Sequence, residues 1–115
     1  MWRTARRLHT ALAGSVLTAS DLRVPRLATV DLSGRATLEV VPRGKHVLHR
    51  IEGDLTLHSH LRMDGSWRVH RGRVPREVLA RHTVRAVLRT AEVTVVGDQL
   101  GMLDLVRTSE EASVV

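Results

Sequence analysis

The chain has 115 residues, the size of one domain with one modest core. It has no cysteine, which excludes a disulfide framework and a thiolate metal site, and no apolar run approaches the roughly 20 residues that cross a bilayer. The formal charge of +6, with seven histidines besides, favours a polyanionic partner, and with no Phe or Tyr the core must be aliphatic around Trp2 and Trp67.

Trp2, Ala5, Leu8, Ala11 and Leu12 recur at helical spacing with Arg3, Arg6, Arg7 and Thr10 between them, which predicts an amphipathic helix ending at Gly14. No signal-peptide h-region follows the charged start, so a soluble chain in a reducing, cytoplasmic setting is expected. From Ser15 onward the pattern changes to short β-rich runs. Turn residues punctuate them at Pro25, Ser33-Gly34, Pro42-Arg43-Gly44, Glu52-Gly53-Asp54, Asp64-Gly65, Gly72, Pro75, Gly97-Asp98 and Gly101.

Strands are predicted over Ala36 to Val41, His46 to Ile51, Asp54 to Leu61, Trp67 to His70, Val84 to Leu88, Val93 to Val96 and Met102 to Val106. In Asp54 to Leu61, alternation places Leu55, Leu57, Ser59 and Leu61 on one face and Thr56, His58 and His60 on the other, as in a half-buried strand. Seven or eight strands at this spacing indicate a mainly β fold, an antiparallel β-sandwich with one N-terminal α-helix. Arg71 to His82, polar and broken by Pro75, reads as a loop, although Arg76 to Arg81 could form one helical turn. Residues 1–108 form the domain, and the tail 109–115 is expected to pack no element.

Three constellations carry chemical interest. Lys45 is the only lysine among 18 cationic residues, and it follows a Pro-Arg-Gly turn, so its ammonium is presented from a hairpin. Arg62 and Met63 stand just before Asp64-Gly65; a thioether there serves either as core or as a wedge that fills a vacated base stack. His58 and His60, with His70 on a possible neighbouring strand, could share a metal ion, but no carboxylate completes a ligand set and hydrogen-bonded histidines are the expectation. There is no P-loop and no dinucleotide fingerprint, so no nucleotide cofactor is expected.

Taken together, Trp2 to Leu8, Val30 to Arg35, Pro42 to His46 and His58 to Trp67 resemble, in order, the N-terminal domain of the formamidopyrimidine-DNA glycosylase and endonuclease VIII family, in particular its actinobacterial endonuclease VIII-like branch. The resemblance covers nearly the whole chain. It implies base-excision repair of oxidised bases in DNA, pyrimidines above all, by a glycosylase and AP lyase that needs no cofactor in this domain. Damaged DNA is the implied partner, with a monomer acting in the bacterial cytoplasm at the nucleoid.

In that family an N-terminal Pro-Glu supplies the amine that attacks the sugar C1′, forming a Schiff base, and the acid that handles protons. Met1-Trp2 stands here instead, with Met1 where the family has a valine. The resemblance therefore implies a start upstream, and little lyase activity for a chain of this sequence. It gives Lys45 the role of contacting the phosphate at the lesion and assisting the reaction. Met63 becomes the void-filling wedge, and Arg62 a support for the estranged base or a phosphate. The family's second DNA-inserting loop corresponds to Gly97-Asp98-Gln99-Leu100-Gly101. A helix-two-turn-helix domain and a zinc finger follow in the family and are not in this sequence.

Overall fold

A computed structural model describes residues 2–113. The fold begins with helix α1 (Trp2–Leu12), which buries Ala5, Leu8 and Leu12 as its apolar spacing requires. Trp2, expected in the same stripe, is instead 61% exposed. Gly14, at φ +81°, takes the left-handed conformation that ends the helix, and its N–H donates to the Thr37 carbonyl at 2.9 Å.

Eight strands follow: β1 (Ala19–Leu22), β2 (Thr37–Arg43), β3 (His46–Ile51), β4 (Leu55–His60), β5 (Ser66–Arg71), β6 (Val84–Arg89), β7 (Val93–Asp98) and β8 (Met102–Arg107). They form two antiparallel four-stranded sheets, ordered β1-β6-β7-β5 and β2-β3-β4-β8. The main core draws on both sheets and on α1, with Leu8, Leu12, Val47, Ile51, Leu57, Trp67, Leu88 and Val95 in one cluster. The expected sandwich with a leading helix is the observed fold. Where extended structure was expected from Ser15, Val16 makes only an isolated bridge to Ala36, and the regular strand starts at Ala19.

Two of the polar groups inside this aliphatic core pair with hydroxyl groups. The Trp67 indole N–H donates to Ser59 Oγ at 3.0 Å, and His49 Nε2 lies 2.8 Å from Thr37 Oγ1. Burial lowers the His49 pKa to about 4, so the ring is neutral at physiological pH.

Three expectations are corrected. Arg76–Ala80 forms a short helix, α2, within the segment read as a loop. Strand β4 is not half-buried: Thr56, Leu57, His58 and Ser59 are all buried, because both of its faces are covered. The tail does pack an element, since Thr108–Ser113 is a 3₁₀ helix laid beside β4 and β8. Its Glu111 is buried and ion-paired with Arg50 of β3, and Glu111 Oε2 accepts from Thr56 Oγ1 at 2.9 Å. Arg50 also binds Glu39 at 2.8 Å, so one guanidinium ties β2 and β3 to the tail. The Glu111 carboxyl is held below the usual carboxylate range, mainly by this hydrogen bonding from Arg50.

Candidate functional site

The register of the second sheet decides which loops meet. Arg43 pairs with His46, leaving Gly44 and Lys45 as a two-residue turn between β2 and β3. Gly44 has φ +58° and Lys45 no positive φ, the pattern of a type II′ turn, which suits the twist of a hairpin and favours glycine at its first central position. Lys45 is exposed at the tip.

His46 then pairs with His60, and His60 with Met102. The Gly44-Lys45 turn, the Leu61–Gly65 turn leaving β4 and the Gln99–Gly101 turn entering β8 therefore lie at one end of one sheet. Helix α1 begins at the same place, because Trp2 and Arg6 line a cavity of about 240 Å³ with Val40, Val41 and Pro42, the residues leading into the Lys45 turn. The carbon of the Arg6 guanidinium lies 5.2 Å from the Trp2 ring centroid, a cation–π distance.

Within the Leu61–Gly65 turn the residues divide by role. Leu61 is buried in the core and anchors the turn, whereas Met63 is 97% exposed. The reading of Met63 as core is thereby excluded. Arg62 adopts φ +57°, a left-handed conformation uncommon for a side-chain-bearing residue, and it is exposed. Its side chain lies across Gly101, so the β4–β5 and β7–β8 turns touch. The Gly101 N–H donates to the His60 carbonyl at 2.9 Å, and a Cβ on Gly65 would meet the Leu61 carbonyl oxygen and the Gln99 carbonyl oxygen. Leu100 is buried, leaving Gln99, at φ +54°, as the outward residue of the third turn.

Behind these tips stand three histidines. The spacing of His58 and His60 was legible in the sequence, but their neighbour is His46 and not His70, which lies on β5 in the other sheet. His58 Nε2 is 2.7 Å from His46 Nδ1, and the His46 ring centroid is 4.7 Å from those of both His58 and His60. Burial, then the His46 charge, lowers the His58 pKa; partial burial, His46, Arg62 and Lys45 lower that of His60. Among the described residues no group of three or more His, Asp or Glu side chains is arranged to hold a metal ion. No described helix is long and apolar enough to cross a membrane.

Sequence reasoning thus singled out Lys45, Arg62 and Met63 one by one, and the structure brings their turns to one end. It missed His46, whose only signal was its place beside Lys45, because pairing with His60 depends on a register that the sequence does not display.

Residues 2–105 match the model of the formamidopyrimidine-DNA glycosylase N-terminal domain. Over 111 residues the chain is 59% identical to the Streptomyces coelicolor protein named "Probable endonuclease 8 2", covering 96% of this chain and 40% of that protein. It is 46% identical over 105 residues to a DNA-(apurinic or apyrimidinic site) lyase of Mycolicibacterium smegmatis, covering 91% and 39% respectively. The fold superposes on Lactococcus lactis formamidopyrimidine-DNA glycosylase, bound non-covalently to DNA containing an AP site, with a TM-score of 0.80 at 22% identity over 98% of this chain and 46% of that one. The chain spans less than half the length of these relatives. It belongs, by sequence and by fold, to the formamidopyrimidine-DNA glycosylase family, of which it carries the N-terminal domain.

Proposed function

We propose that this domain serves base-excision repair as the catalytic half of a DNA glycosylase and AP lyase for oxidised bases, pyrimidines in particular. One observation carries the reading: the start of α1, the Lys45 turn and the Arg62-Met63 turn converge at one end of the molecule. An amine placed just before Trp2 would stand beside the Lys45 hairpin, where an ammonium can hold the phosphate of the attacked nucleotide. Met63, projecting from the neighbouring turn, suits the space left by an everted base, and Arg62 its estranged partner or a flanking phosphate. Amine attack on C1′ with proton transfer by an acid calls for no cofactor. The partner is damaged DNA, met by a monomer in the bacterial cytoplasm at the nucleoid.

Before Trp2 the sequence holds Met1 alone, and its reading as a displaced valine lies outside the described residues. Made in this form, the chain is proposed to have little or no lyase activity, because displacing a reacting group by one ångström can cost about 10²-fold in rate. Borohydride trapping on DNA with an abasic site tests this. The chain is compared with a form carrying Met-Pro-Glu-Gly-Asp-Thr-Val in place of Met1, each joined to a C-terminal domain from a relative. Trapping by the extended form alone is expected. Trapping by neither points to a non-catalytic binding module, and trapping by the unextended form overturns the requirement for the proline.

A further inference from the structure

Helix α1 contradicts the usual electrostatics of a helix. Its described residues carry Arg3, Arg6 and Arg7 close together and no acidic side chain. Arg3 also faces Arg6 and Arg7 at the i+3 and i+4 positions, where like charges repel. Among the described residues, Arg3, Arg6 and Arg7 form no ion pair. Local rules broken in this way are expected where function offsets the cost.

The arginines are also gathered in space. Arg3, Arg6, Arg7 and Thr10 line a concavity of about 320 Å³ with Trp2 and with Arg71, which comes from the end of β5. Its lining offers four guanidinium groups and a hydroxyl, and no carboxylate. This concavity shares Trp2 and Arg6 with the one that leads to the Lys45 hairpin, and adds Arg3, Arg7, Thr10 and Arg71.

We infer that the α1–Arg71 concavity is a second phosphate-binding surface that takes the DNA backbone on residues other than those of the Lys45 and Arg62-Met63 turns. Charge complementarity identifies the partner: planar guanidinium forks bind phosphodiester oxygens bidentately, and Trp2 offers an apolar wall beside them. The inference rests on the reading that this domain engages DNA, but it does not require catalysis.

The test is equilibrium binding of the 115-residue chain to a short undamaged duplex and to the same duplex with a stable abasic-site analogue, across a salt titration. The double variant R3Q/R7Q is compared with R89Q/R107Q, which removes equal charge from exposed arginines outside the concavity. R3Q/R7Q and R71Q are expected to weaken binding to both duplexes, the double variant roughly tenfold at low salt, with a salt slope shallower by about 1–2. R89Q/R107Q should change affinity no more than about twofold. Equal weakening by the two double variants would show only a general field and overturn the surface, as would wild-type binding by R3Q/R7Q or competition by micromolar inorganic phosphate.

A single substitution supplies an independent readout. R3E should raise the thermal midpoint, by replacing repulsion with attraction to Arg6 and Arg7, while weakening DNA binding. A midpoint that does not rise removes the premise. Arginine-dependent binding without Schiff-base trapping would sink the glycosylase reading alone, and failure of these variants with successful trapping would sink the surface alone.

Discussion

The side chain of Arg62 lies across Gly101, so that a β-carbon at Gly101 would come within 2.5 Å of Arg62 Cγ and 2.7 Å of Nε. Two turns separated by a whole sheet's worth of sequence are thereby in contact, and the smallest residue is what lets the guanidinium stem settle there. Gly101→Ala should displace Arg62 without strain in its own backbone, since Gly101 has no positive φ. The expected result is DNA binding weakened several-fold, on the order of 1 kcal/mol for one lost charge-assisted contact, with a thermal midpoint close to wild type. A fluorescence-anisotropy titration beside a melting curve checks both halves.

Met63 and Leu61 stand two residues apart and should respond in opposite ways. Met63→Ala removes a side chain that touches almost only solvent and should shift stability by no more than about 0.5 kcal/mol. In an extended, two-domain enzyme it should slow base excision from duplex roughly tenfold, since filling the stack offsets a few kcal/mol of lost stacking. Leu61→Ala should cost about 2–5 kcal/mol of folding stability by leaving a cavity. Denaturant unfolding and single-turnover excision separate the two effects.

His49 sets an acid limit on the fold. Its folded pKa is about 4 against 6.5 when unfolded, so between those values the unfolded chain binds the extra proton and stability falls as the pH falls. The loss approaches roughly 3 kcal/mol by pH 4. His58, also lowered by burial, acts in the same direction. His49→Gln should flatten much of the slope between pH 6.5 and 4, as read by chemical denaturation at several pH values; an unchanged slope would refute the assignment.

Glu111 closes over β4 by accepting from Arg50 and Thr56. Glu111→Ala leaves Arg50 only Glu39 and should cost about 2–4 kcal/mol, the range for breaking a largely buried ion pair on one side. Because its folded pKa is depressed, the contribution of Glu111 is present above its ordinary value of 4.5 and disappears as the pH drops through the lower folded value. E111A should therefore unfold more readily than the parent chain at pH 7 and converge with it at acid pH.

What was legible in the sequence was the part governed by local periodicity. Alternation located the strands, the 3.6-residue repeat located α1, and glycines and prolines located the turns, including those that present Lys45 and Met63. What was not legible depends on partners distant in the chain. Thr108–Ser113 has no apolar repeat of its own and is held by Arg50, 61 residues away from Glu111. Thr56 and His58 look like an exposed polar face until that helix and the neighbouring strands cover them. Met63 could not be told from core by type, since a thioether suits either place; only the positions of Leu61 and Gly65 in the turn turn it outward.

The pairing of His46 with His60 and of His60 with Met102 has a further meaning for how such a site can change. The tips that carry Lys45 and Met63 are mounted on adjoining strands, about 4.8 Å apart in the hydrogen-bonding direction. Their separation is thus set by a lattice, and side chains inside the sheet hold the lattice in register. Sliding one strand would move it in steps that either invert its faces or shift it by two residues at once, so gradual adjustment is closed to this frame. Variation is confined to which side chains the tips bear, a ruler with fixed divisions and interchangeable marks.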